Sequence, residues 1–310
     1  MKSEGNCGTD PVRSGPRSIA ATKTPPKKRR QPGLAAPQNL LLVLLPALLS
    51  AAPTLQIVRP IISQMEDGVP EPASFEHVPG ETLYFTCRFS GFSKTSEEKI
   101  HLAYSVQAFD PKGVPLTEIY KNELSDEVGP QDKEWLPKIQ TEIQIPPLVA
   151  TGAYKIVVKV EDVVAKTQAE QAVPFRVRGR TVEPSETLVV RNFRFFRGED
   201  DTQALPKGSY KPGDGVWARF DITGFQYGDK NKIDVSYVTS VIAPSGKVLW
   251  TQPEPAVEQS ESFYPKLYVP ASMGISLQGN IRPGEYTIAV RVKDGIGSRD
   301  YETKYTFTVE

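Results

Sequence analysis

The chain has 310 residues, 39% of them hydrophobic, with 28 Pro, 23 Gly, two Cys and two His. Its formal charge of zero hides an uneven distribution. Residues 1–38 carry eight Lys/Arg against two Asp/Glu, and the remainder carries 29 against 35. The globular part is mildly acidic, which argues against a nucleic-acid partner, and with Cys7 in the basic N-terminal stretch its one Cys and two His are too few for a four-ligand Cys/His zinc site.

The first element is a targeting segment. Residues 1–38 read as a disordered basic n-region, and residues 39–53 as a hydrophobic signal peptide or membrane anchor. Its apolar run, Leu40–Leu49, is interrupted by Pro46 and followed by Ser50, Ala51 and Ala52. That order is basic, apolar, small, as in a secretory signal. The run is short for a membrane-spanning helix. Pro53 disfavours cleavage beside it, so an uncleaved N-terminal anchor is the other reading. Both readings export the remainder, to the periplasm, the cell surface or the medium. An uncleaved segment would tether it to the inner membrane.

Residues 55–178 and 187–310 read as two copies of one unit. PGETLYFTCRFSGF (Pro79–Phe92) lines up with PGDGVWARFDITGF (Pro212–Phe225), and KIHLAYSVQAFDPKGVPL (Lys99–Leu116) with KIDVSYVTSVIAPSGKVL (Lys232–Leu249). Every pair from Pro79/Pro212 to Leu116/Leu249 lies 133 positions apart without a gap. Ten of these 38 pairs are identical, where unrelated sequence gives about two. Further on, GAYKIVVKVED (Gly152–Asp162) is echoed by GEYTIAVRVKD (Gly284–Asp294). Tyr154, Ile156, Val158 and Val160 alternate with mostly polar residues, as do Tyr286, Ile288, Val290 and Val292. That period of two predicts strands with one buried face. Closing strands are expected over Val173–Val177 and Tyr305–Val309. Residues 179–186, GRTVEPSE, form a short polar linker that should act as a semi-stiff hinge.

Short strands with Gly/Pro turns and no stretch of helical period predict an all-β fold, two tandem β-sandwiches of about 125 residues each. The G-x-Y strand resembles the penultimate strand of bacterial immunoglobulin-like and fibronectin-III-like domains. The resemblance implies that Tyr154 and Tyr286 form tyrosine corners, each hydroxyl bonding back to upstream backbone. That family contains adhesive, spacer and ligand-binding modules, so it does not by itself fix a function.

Candidate chemistry is sparse. His101 alternates with Ile100 and Leu102 and should face solvent, and His77 precedes a Pro-Gly turn. Neither stands in a nucleophile motif. Cys87 pairs with Phe220 in the repeat and reads as a buried filler; with Cys7 in the targeting segment, an internal disulfide of the exported part is excluded. Glu199, Asp200 and Asp201 are weak calcium candidates in one loop. Otherwise the sequence calls for no metal and no cofactor. Trp217 pairs with Tyr84 and reads as core. Trp135, Tyr264 and Tyr268 fall in the two stretches that differ between the copies, Thr117–Gln144 and Trp250–Ile281, where a binding site would be grafted. The expected function is an exported, non-catalytic envelope protein that binds a protein partner or acts as a spacer. The alternatives are a pair of carbohydrate-binding modules and a hydrolase that uses carboxylates alone.

Overall fold

A computed structural model describes residues 54–310. The expected segments 1–38 and 39–53 lie outside the described residues. No helix among the described residues is long and apolar enough to cross a membrane.

The fold is all-β. In the first half, β1 (Gln56–Ser63), β3 (Thr82–Ser90) and β6 (Lys138–Gln144) form one sheet in the order β1-β3-β6. The facing sheet runs β2-β8-β7-β4-β5, built from β2 (Glu76–His77), β4 (Lys99–Phe109), β5 (Tyr120–Glu127), β7 (Gly152–Asp162) and β8 (Thr167–Val177). In the second half, β9 (Val189–Phe196), β11 (Gly215–Thr223) and β15 (Val269–Ser276) form the sheet β15-β11-β9. Its partner runs β10-β17-β16-β12-β13, from β10 (Ser209–Tyr210), β12 (Ile233–Ile242), β13 (Val248–Thr251), β16 (Gly284–Asp294) and β17 (Arg299–Val309). A further strand, β14 (Ala256–Ser260), pairs with the first half of β12.

The repeat in sequence is a repeat in hydrogen bonding. β2 joins β8 in parallel through Glu76 and His77, and β10 joins β17 in parallel through Ser209 and Tyr210. The register of β1 on β3 shifts after Val58, and that of β9 on β11 shifts after Arg191. Arg59 and Asn192, one residue past those points and 133 apart, both adopt positive φ. Both copies therefore carry a bulge in the leading strand. The Gly of the shared Gly-Phe ending has a similar cause. Gly91 and Gly224 have φ near 70° and 81°, and a Cβ on either would strike the carbonyl of Thr54 or Thr187. Only glycine lets the leading strand cross there.

Each sandwich has its own core, drawn from both of its sheets. Leu83, Phe85, Ile100, Ile156 and Val158 are fully buried in the first; Val216, Ala218, Ile288, Val290 and Val292 in the second. Burial of each Leu, Ile, Val or Phe side chain among these stabilises its fold by about 1.5–3 kcal/mol. The corners are present. The hydroxyl of Tyr154 donates to the Ala150 carbonyl at 2.7 Å, and that of Tyr286 to the Arg282 carbonyl at 2.8 Å.

Trp217 corrects the sequence reading. It is half-buried, while its neighbours Val216 and Ala218 are in the core. In a strand the side chains alternate, so Trp217 must face outward with Tyr84, its equivalent. Its indole lies over Gly274 on the next strand, where any side chain would collide with the ring. Cys87 and Phe220 are both buried, at 1% exposure. Burial pushes the Cys87 thiol up to about 12, so thiolate is scarce at neutral pH. Native protein should therefore leave Cys87 unlabelled by a water-soluble thiol reagent until the first sandwich unfolds. Prompt labelling under native conditions would contradict this packing.

Candidate functional site

Among the described residues, the outer faces of the two larger sheets are open surfaces. On the first, β4 turns Ala103 and Ser105 outward between the longer side chains of β5 and β7. Small residues between long ones make a trough. It encloses about 790 Å³, with Lys121 and Glu123 on one wall and Lys159 and Glu161 on the other. Ser105 lies level with Lys121 and Lys159, and Ala103 level with Glu123 and Glu161. A basic row therefore follows an acidic row along the trough.

The same place on the second sandwich holds a groove of about 510 Å³, lined by Val238, Ser240, Ile242, Val248, Ala289 and Arg291 among others. Here Val238 stands where the first sandwich has Ser105, and Ile242 and Val248 add aliphatic surface beside Ser236, Ser240 and Thr251. One feature is shared. Lys159 pairs with Glu170 at 3.0 Å, and Arg291 pairs with Glu302 at 3.0 Å, at equivalent positions. Both pairs are exposed and contribute little to stability. They keep the two faces similar in outline while the floors differ.

The three aromatic candidates do not converge. Trp135 is exposed at 38%, in the loop that follows a single 3-10 turn at Pro130–Asp132. Tyr264 and Tyr268 are buried. The Tyr264 ring packs into the core of the first sandwich, and its hydroxyl donates to Asp110 Oδ2 at 3.0 Å. The Tyr268 ring lies beneath the Arg180 guanidinium, 5.6 Å from the ring centroid. These two side chains serve the joint between the sandwiches and are not offered to solvent.

The acidic loop is likewise occupied. Asp201 Oδ2 accepts from the backbone N–H groups of Arg197 and Gly198, at 3.2 and 2.9 Å. Arg219 donates to the carbonyls of Glu199 and Asp201. The Arg219 guanidinium, a cation itself, thus already engages two carbonyl oxygens of this loop.

The histidines are engaged with carboxylates. His101 is partly exposed and sits 2.8 Å from Glu123. His77 is buried, with Nε2 2.9 Å from Glu71 and Nδ1 3.3 Å from Glu81. Burial raises the Glu71 pKa above its ordinary value of 4.5, against the lowering effect of His77. A raised carboxyl binds its proton more tightly folded than unfolded. Its contribution to stability is complete below the ordinary value and is lost as pH rises through the folded one. Urea unfolding at about pH 4 and about pH 7 should show a larger fall in midpoint for the unaltered chain than for Glu71→Gln. Equal falls would place the pH dependence elsewhere.

No family model matches the chain, and no curated protein matches it. Among solved structures it is similar to the C-terminal domain of the AgI/II polypeptide BspA of Streptococcus agalactiae. That structure is 12% identical, with 81% of this chain and 100% of that one covered and a TM-score of 0.28. A second structure, named BspA_C_WT, gives 12%, 83%, 100% and 0.28. Overlap at this level assigns neither a fold family nor a function to the chain.

Sequence reasoning missed four buried carboxylates. Asp162 and Asp294 end the repeated motif two residues after Val160 and Val292, so the period of two already placed them inward. Asp110 and Asp221 differ from their repeat partners, Ala243 and Arg88, and only the fold shows what they meet.

Proposed function

We propose that the chain is an exported, non-catalytic envelope protein that binds a partner through the outer faces of its two larger sheets. The observation that carries this reading is the commitment of its buried acids. Asp110 and Asp162 hold turn N–H groups, Asp294 does the same in the second copy, and Asp221 receives Arg180 and Asn192. Carboxylates engaged in this way build the scaffold; catalysis needs them facing a substrate. Among the accessible features are two shallow troughs of different character, which suits two non-equivalent contacts on one partner.

The test blocks each trough from outside the core. Ala103→Arg and Val238→Arg should leave the urea midpoint unchanged and reduce capture of a partner from envelope extract by at least about tenfold. Capture unaffected by both would move the function off these faces. Carbohydrate binding is the second reading, favoured by the half-buried Trp217 indole lying flat over Gly274. A glycan array in which binding is lost on Trp217→Ala would decide for it.

A further inference from the structure

We infer that residues 261–268 are an interdomain latch, which fixes the two sandwiches in one orientation and removes the hinge that the linker composition suggests. Consecutive domains in a chain move relative to one another unless something substantial holds them. Here two side chains cross the joint in opposite directions. From the second sandwich, Tyr264 inserts into the first core and bonds Asp110, with both residues buried. From the linker, Arg180 reaches the fully buried Asp221 of β11 at 2.5 Å, covering Tyr268 on the way. The linker is also tied behind this contact, because Thr151 Oγ1 donates to the Gly179 carbonyl at 2.6 Å.

The latch is braced from its own side. Asn231 Nδ2 donates to the carbonyls of Ser262 and Phe263, and the Tyr227 hydroxyl donates to that of Lys266 at 2.6 Å. Lys266 itself pairs with Glu258 on β14. A loop held at so many points presents Tyr264 in one position.

The pattern of divergence points the same way. Within the ungapped repeat block, the receptor Asp110 is matched by Ala243 and the receptor Asp221 by Arg88. Asp110 and Asp221 are at the joint. Ala243 caps the equivalent turn of the second sandwich, and Arg88 donates instead to the Leu136 carbonyl of its own sandwich. Each copy carries an acidic receptor only where the other copy, or the linker, meets it. The described residues accordingly form one compact unit.

The experiment uses the full chain with Cys7→Ser and spin labels at Ser125→Cys and Thr306→Cys, both exposed; Cys87 is buried and stays unlabelled. Double electron–electron resonance should give one narrow distance distribution. Tyr264→Ala with Arg180→Ala should lose that single peak and broaden, while Cys87 remains protected and so reports an intact first core. If that pair fails to fold, Tyr264→Phe with Arg180→Gln keeps the packing, removes both polar contacts, and should broaden in the same way. A broad distribution in the unsubstituted latch overturns the inference, and so does a narrow peak that survives in the folded variants. Neither result bears on partner capture, which the trough substitutions report separately.

Discussion

Tyr286→Ala should destabilise the second sandwich by about 3–5 kcal/mol, the range for truncating a buried aromatic. The ring is 4% exposed and stacks on Phe307, with centroids 5.6 Å apart. Its loss leaves a cavity between β16 and the closing strand β17. Tyr286→Phe keeps the stacking and loses only the hydroxyl bond to Arg282, so it should cost about 0.5–1.5 kcal/mol. Urea unfolding of the three proteins separates the two contributions. Small and equal losses would mean that the corner bears no weight. Domain stabilities lie around 5–15 kcal/mol, so the Ala variant should also be visibly more sensitive to proteolysis.

Asp294→Ala should cost about as much, for a different reason. This carboxylate is 2% exposed and accepts three backbone bonds: Gln226 N–H at 2.9 Å on Oδ2, Ile296 and Gly297 N–H at 3.1 and 2.9 Å on Oδ1. It ties the turn after β16 to the loop after β11. Removing it leaves three donors without acceptors, at about 1–3 kcal/mol each where water cannot replace them; Ile296 and Gly297 are only half-buried, so water meets part of that need and the expected loss is at the low end, about 3–5 kcal/mol. Asp294→Asn keeps one oxygen but can set an amide N–H against one of those donors, and should fall between. Cys87 protection distinguishes local from global damage: the Asp294 variants should loosen the second sandwich and leave Cys87 unreactive. Asp162→Ala is the mirror experiment, since Asp162 accepts from Ser93, Val164 and Ala165 in the same arrangement, and it should expose Cys87. Wild-type stability in both Ala variants would show that water replaces the carboxylate.

The sequence by itself determined the strands and their buried faces. Alternation is a property of the local backbone, so Tyr154 to Val160 and Tyr286 to Val292 could be assigned inward without knowing what covers them. The matched glycines and tyrosines were legible for the same reason, because a turn or a corner closes within a few residues. Trp217 was misplaced by weighing residue type over the alternation that Val216 and Ala218 already displayed. The candidate site was less legible. A trough is defined by neighbours on four strands, and Ala103 and Ser105 become a floor only when β5 and β7 flank them. Tyr264 looked like a binding aromatic because it lies in a divergent stretch. Its partner, Asp110, is 154 residues earlier in the chain. Only the tertiary structure could decide that contact, because it depends on how the end of one sandwich meets the start of the next, and no local period encodes that distance.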